Sequence, residues 1–267
     1  MIYCVLKGGL ANMMFQIAAT YSFSIDYNTD CSFPNLDHMF NYLNSEKTFN
    51  PNLSHAEEYN LIFKKLKKVS PFQNLRMINF PFEYTNLRLP YNEDVIINGF
   101  FQSEKYFKHN REKILELFEP DNLIKEIIEQ KYETLLTKKT TAIHVRRGDY
   151  LKFPHLHPFQ GYDYYSNAIN ELKSDTETFL IFSDDIEWCK NNFEGDEYYF
   201  VENEKDYVEL YLMSMCKNNI ISNSSFSWWG AWMNKNYNKK VIGPKNWFGS
   251  SMTLKADDII PLEWIKL

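Results

Sequence analysis

The chain has 267 residues, 44% of them hydrophobic, which allows one large domain or two lobes with a sizeable core and excludes a disordered tail. The formal net charge of −6 excludes a strongly basic nucleic-acid footprint, so a phosphate ligand would have to be held by a few placed cations. Four cysteines, none at C-x-x-C spacing, exclude the common zinc and redox motifs and fit reduced, buried thiols.

In chain order, IYCVL (2–6) predicts a buried strand, KGGLAN a turn, and NMMFQIAATYSFSI a helix. Strand, glycine turn and helix open an α/β unit. The first residues carry no basic n-region, and no stretch approaches the ~18 apolar residues of a membrane helix. The expected location is therefore cytoplasmic, at most peripheral to a membrane. In that setting the glycosylation patterns at Asn52-Leu53-Ser54 and Asn223-Ser224-Ser225 read as chance. Residues 30–94 mix Pro, Asn and aromatics with one basic stretch, Lys64-Lys65 and Lys67-Lys68, which reads as a solvated helix face.

DVIINGFF (94–101) predicts a strand and 103–118 a helix with Ser103 as its cap. Residues 120–136 predict a second helix, with Leu123, Ile124, Ile127, Ile128, Tyr132 and Leu135 in one stripe. The polar TKKT after it marks the expected boundary between lobes 1–137 and 138–267. Beyond it, strands at 141–145, 178–183, 198–201, 218–222 and 240–243 alternate with helices at 162–173, 185–193, 204–216 and 225–234. Such alternation implies a parallel sheet covered on both faces, with ligands at the carboxyl ends of its strands.

Polar clusters stand at those ends. In HVRRGDY (144–150), strand alternation puts His144 and Arg146 on one face. Arg147 and Asp149 fall on the other face and are able to pair, so Arg146 lacks an evident partner within the chain. A guanidinium fork suits phosphate, while a buried double ion pair is the alternative. The strand TFLIFS runs into Asp184 and Asp185. One of them is expected to cap the following helix, with Asp184 the candidate, and the other can accept two N–H groups from a guanine edge. The adjacent pair lacks the spacing of a D-x-D metal motif, and no metal is expected. NIISNSSFSWWGAW (219–232) ends a strand at a helix start, where free amides attract phosphate and Ser224 or Ser225 is placed to cap. Trp228, Trp229 and Trp232 follow at helical spacing and read as core. Two glycines in KGGLAN permit close backbone approach to a ligand, and Asn12 stands where a helix cap would be. His155 and His157 lie on a Pro-rich loop, and either is a possible base; His38, His55 and His109 show no zinc spacing.

Together these segments resemble glycosyltransferase family 11, the α-1,2-fucosyltransferases. HVRRGDY matches that family's hallmark motif at every position. GGLANMMFQ resembles its opening GGLGNQMFQ, and SDDIEW, SNSSFSWWGAW and VIGPKNWF resemble later motifs in order and spacing. The resemblance implies an α/β, GT-B-like fold of two Rossmann-like lobes facing a cleft. An N-terminal acceptor-side lobe would face a C-terminal lobe holding GDP-fucose, the donor substrate. No cofactor is implied. The implied reaction is inverting, metal-independent transfer of fucose to the 2-hydroxyl of a terminal galactose on a glycan or glycoconjugate. By the same carry-over Arg146 would hold the pyrophosphate, His144 would lie near the nucleotide, Asp185 would read guanine, and Ser224 and Ser225 would contact phosphate. Asn12 and Arg147 complete the implied donor set.

Two residues depart from the pattern: Ala11 replaces a glycine and Met13 a glutamine. If that glycine needs φ > 0, alanine costs roughly 1 kcal/mol. Without a metal, fixed donors must neutralise the leaving group: Arg146, the amides near Ser225, and Arg147. The acceptor hydroxyl loses a proton, which favours a nearby base. Asp149 is the first candidate, against which stands an Arg147–Asp149 ion pair, and His155 is the second. A same-fold transferase using another nucleotide sugar or linkage, and a glycan-binding protein on a decayed transferase fold, remain open.

Overall fold

The structure, a computed structural model, describes residues 1–45, 56–66, 74–90 and 92–267. His55, Asn52-Leu53-Ser54 and Lys67-Lys68 lie outside the described residues. The chain divides into two units, Met1–Asp121 with Asp257–Ile259 and Asn122–Ala256 with Ile260–Leu267.

The first unit holds a parallel sheet of β1 (Ile2–Cys4), β2 (Cys31–Ser32), β3 (Arg76–Asn79) and β4 (Val95–Asn98), in the order β2-β1-β4-β3. Its helices are α1 (Leu10–Asp26), α2 (Leu36–Ser45), α3 (Asn60–Phe63) and α4 (Arg111–Leu117). Strand β1 stops at Cys4, short of Leu6. Beyond it side chains replace the ladder: the Leu6 amide donates to Asn35 Oδ1 at 2.8 Å and the Lys7 amide to Gln16 Oε1 at 3.0 Å. Helix α1 starts at Leu10 with Gly9 as N-cap, so Asn12 sits inside the first turn and is not the cap. Gly8 takes φ +81°, where a Cβ would lie 2.8 Å from the Asn12 side chain. Ala11 is helical, so the backbone strain expected of it does not arise, and Met13 is fully buried in the core. The helix predicted over 103–118 is broken into two 3₁₀ turns, Glu104–Tyr106 and Lys108–Asn110, followed by α4. Ser103 caps the first turn as expected, but Phe107 at φ −146° leaves helical space and interrupts the run.

The second unit begins with α5 (Asn122–Leu136), which the boundary read from TKKT assigns to the other lobe. Its Tyr132 hydroxyl and Lys131 ammonium both donate to Glu204 of the second unit, at 2.9 and 2.7 Å. The buried stripe of α5 narrows to Ile124, Ile128 and Tyr132, with Leu123 half exposed. Then β5 (Thr140–Val145), α6 (Tyr162–Leu172), β6 (Thr178–Ser183), α7 (Ile186–Asn192) and β7 (Tyr198–Phe200) follow. After these come α8 (Asp206–Met215), β8 (Asn218–Ile220), α9 (Ser225–Met233), β9 (Val241–Gly243) and β10 (Ile265–Lys266).

All pairs in the second sheet are parallel, in the order β10-β9-β8-β5-β6-β7. The chain runs outward from β5 to β7, returns across the sheet to β8, and runs outward the other way. Numbered within the unit, this is 3-2-1-4-5-6, a doubly wound sheet whose topological switch lies between β5 and β8. Strand β5 is buried along its whole length, as a central strand covered on both faces must be. Trp228, Trp229 and Trp232 pack on one another inside α9, as expected of core residues. Among the described residues no helix is long and apolar enough to cross a membrane.

Candidate active site

The candidate site lies at the carboxyl ends of β5, β6 and β8, where the sheet switches direction. His144, near the end of β5, is 6% exposed, and its Nδ1 shares a 2.9 Å hydrogen bond with Ser222 Oγ just beyond β8. Phe226 of α9 packs against the imidazole, ring centroids 5.6 Å apart. Burial, with Arg146 adding to it, pushes the His144 pKa down to about 3, so the ring is neutral at physiological pH.

Arg146 follows the strand. Its Nη2 donates to Asp149 Oδ1 at 2.6 Å and its Nη1 pairs with Asp184 Oδ2 at 3.1 Å. Its guanidinium carbon stands 5.6 Å from the Tyr150 ring centre. Burial works against the charge, but Asp184 and Asp149 outweigh it and raise the Arg146 pKa. The expectation that Arg146 lacks a partner and that Arg147 pairs with Asp149 is therefore corrected. The alternation of faces ends with β5 at Val145. The chain then turns, with the Leu151 amide bonded to the Arg147 carbonyl and the Lys152 amide to the Asp149 carbonyl, and Asp149 comes back to the residue three before it.

Arg147 points elsewhere. Its Nε donates to Asp185 Oδ2 at 3.0 Å, and its guanidinium lies between Trp188, at 4.3 Å, and Phe159, at 5.3 Å. Its side chain is 14% exposed, which makes it a packed strut between the loop after β5 and the start of α7. The Arg147 amide donates to Asp184 Oδ1 at 2.8 Å. Gly148 lets this approach happen, since a Cβ there would lie 2.6 Å from Asp184 Oδ2.

The two aspartates exchange the structural role expected of them. Asp185, not Asp184, caps α7, its Oδ1 accepting from the Trp188 amide at 3.2 Å. The reason is register: the Asp185 amide bonds to Ser183 Oγ, which turns the chain so that Asp184 faces the loop after β5. Ser224 caps α9 by accepting from the Phe226 amide at 3.3 Å, and Ser225 is the first helical residue. His155 is exposed on its loop, where its carbonyl accepts from the Ser251 amide. The loop histidine that joins the cluster is His157, stacked on Tyr150 with ring centroids 5.1 Å apart. Burial lowers the His157 pKa, Asp149 working against that shift and Arg146 with it. Asn12 belongs to the first unit, where its Oδ1 accepts from Gln102 Nε2 at 2.7 Å.

Sequence reasoning missed Tyr150 and Asn223 as members of this site. The Tyr150 hydroxyl donates to the Asn223 carbonyl at 3.0 Å, tying the loop after β5 to the end of β8, and burial pushes its pKa up to about 12. Tyr150 closes the HVRRGDY motif, so its position was the available signal.

The arrangement offers a rigid guanidinium, a helix start and a neutral imidazole around the switch point, with counter-charges already in place. The family model described as glycosyl transferase family 11 matches residues 1–267. Two curated relatives from Escherichia coli span nearly the whole chain. The O-antigen biosynthesis glycosyltransferase WbnK is 32% identical over 94% of this chain and 96% of its own. An alpha-1,2-colitosyltransferase is 33% identical over 98% and 97%. The solved structure of the fucosyltransferase NodZ from Bradyrhizobium matches with a TM-score of 0.52 at 11% identity, covering 86% of this chain and 90% of that one. That likeness is one of fold: α/β, GT-B-like, built on parallel Rossmann-like sheets.

Proposed function

The chain belongs to glycosyl transferase family 11 and is a glycosyltransferase, and from that premise we propose that it transfers L-fucose from GDP-fucose to the 2-hydroxyl of a terminal galactose on a glycan. The observation that carries this reading is the placement of Arg146 and the start of α9 around the β5–β8 switch point. That is where a doubly wound sheet takes a nucleotide and where helix amides meet phosphate. The second unit is the donor side and the first the acceptor side.

Cleavage of the sugar–phosphate bond builds negative charge on the pyrophosphate. Arg146 and the amides at Ser224 and Ser225 neutralise it, and Arg147 acts by bracing the loop that carries Arg146. In the structure Arg146 is held by Asp149 and Asp184. Asp184 is fixed by the Arg147 amide, whereas Asp149 sits on a turn with a side chain 38% exposed. An incoming pyrophosphate therefore displaces Asp149 from Arg146. The freed carboxylate takes the proton of the acceptor hydroxyl as that oxygen attacks the anomeric carbon from the opposite face, giving inversion. His144, neutral and tied to Ser222, offers a hydrogen bond to the nucleotide without adding charge. Asp185 retains lone pairs beyond its bonds to the Trp188 amide and Arg147, and these face the guanine edge.

A second reading rests on the similarity to an alpha-1,2-colitosyltransferase. Colitose is fucose without its 3-hydroxyl, so the donors differ by one polar group, and a pocket that hydrogen-bonds that group discriminates strongly. Initial rates with GDP-fucose and GDP-colitose on galactose-terminated acceptors, with the linkage read by NMR, separate the two. Faster turnover of GDP-fucose supports the first reading, and a preference for GDP-colitose the second. Glycan binding without turnover of either donor would make the chain a glycan-binding protein. Initial rates should be unchanged by a chelator; a loss restored by manganese or magnesium would overturn the metal-independent route.

A further inference from the structure

We infer that the first unit carries its own carbohydrate site at the carboxyl ends of β1, β4 and β3, built from Lys7, Asn98, Asn79 and the ring of Phe100, and that it takes the neutral sugar of the acceptor. The inference rests on the transferase reading for the identity of that sugar, but the site stands on geometry in the first unit alone. Asn79 and Asn98 are the last residues of β3 and β4 and are partners in register. Lys7 lies just past the end of β1, the strand on the other side of β4. The side chains form a row: Lys7 Nζ donates to Asn98 Oδ1 at 2.9 Å, and Asn98 Nδ2 donates to Asn79 Oδ1 at 2.8 Å. The Lys7 ammonium also stands 4.5 Å from the centre of the half-buried Phe100 ring.

Three features make this a site and not an ordinary surface. First, it spans the carboxyl ends of three adjacent parallel strands, the edge of an α/β sheet at which ligands are taken. Second, it is preorganised. The fully buried Gln16 accepts from the Lys7 amide at 3.0 Å and donates to the Lys7 carbonyl at 2.8 Å, which clamps the main chain on both sides. Third, its chemistry is selective. A row of one ammonium and two carboxamides keeps N–H groups and lone pairs in excess of the bonds it makes internally. Vicinal hydroxyls both donate and accept, so they match that row, while an aromatic ring suits the C–H face of a pyranose.

The test uses the full chain with lactose as acceptor. Lys7→Met keeps the length of the stem and removes the ammonium; Asn98→Ala removes the central link of the row. Both variants should raise the KM for lactose at least about tenfold, while the Kd for GDP, measured by calorimetry, stays within about twofold. An unchanged lactose KM in folded variants overturns the inference, as does an equal loss of GDP affinity, which would assign Lys7 to the donor. If the wild type transfers neither sugar, the transferase reading fails on its own account. Saturation-transfer NMR with lactose then decides: a signal on wild type that is lost in Lys7→Met supports the site, and no signal on wild type, or an equal signal on both, overturns it. Where Asn98→Ala melts well below wild type, Lys7→Met carries the result.

Discussion

Replacing Asp149 by asparagine separates two duties that one carboxylate is proposed to hold. Its Oδ1 lies 2.6 Å from Arg146 Nη2, so it competes with a pyrophosphate for the same guanidinium edge. Unit charges about 4 Å apart attract by ~4 kcal/mol at an effective dielectric constant of about 20. The Asp149 side chain is 38% exposed, however, and a pair so hydrated contributes a net ~0.2–1 kcal/mol. Asparagine preserves size and an acceptor for Arg146 while removing the charge, so the turn after β5 should persist. GDP should then bind more tightly, by up to about fivefold. Turnover should move the other way, since loss of a positioned general base costs about 10²–10⁴-fold. Calorimetric titration with GDP and initial-rate kcat measurements read the two effects separately. A kcat within about threefold of wild type would refute Asp149 as the base and shift attention to His157 on the same loop. A weaker GDP affinity would refute the competition between carboxylate and pyrophosphate.

The neighbouring arginines should respond in opposite ways. Arg146→Lys cannot span its partners and the leaving group, so kcat should fall about 10²–10³-fold with little change in melting temperature. Arg147→Lys should cost ~1–2 kcal/mol of stability through lost stacking on Trp188 and bonding to Asp185, lowering the melting temperature, and reduce kcat less; thermal melts and initial rates that rank the two variants the other way would reverse the assignments. Asp185→Asn keeps an α7 cap but cannot accept both guanine N–H groups, so GDP affinity should fall about tenfold to a hundredfold and ADP affinity barely change. An equal loss for both nucleotides would leave Asp185 with a structural role alone. His144 is held neutral to about pH 3 in the folded chain, against 6.5 for a free imidazole. Between those values the unfolded state binds more protons, so stability falls as pH drops, by up to about 1.4 kcal/mol per unit. His144→Gln should flatten that part of the pH–stability curve in denaturant titrations, and an unchanged slope would place the buried proton site elsewhere.

Residue order alone determined most of the second unit. TTAIHV and TFLIFS lack the polar–apolar alternation of a half-exposed strand and are closed by turn residues, as central parallel strands buried on both faces are. Their ends follow from the same runs, which is why His144, Arg146 and the aspartate pair could be singled out. Three of the four edges left no such mark: β2 is two residues long, β3 is largely exposed, and β10 is a two-residue pairing, so none of the three carries a periodic pattern. Pairings within the site were equally illegible. Alternation predicts faces only while a strand lasts, and β5 ends one residue before Arg146, so the turn gives Asp149 to Arg146 and sends Arg147 to Asp185 and Trp188. The same holds for which aspartate caps α7 and which loop histidine meets Tyr150. Those choices depend on side chains that lie far apart in the sequence or on single-residue shifts of register, and only the folded chain fixes either.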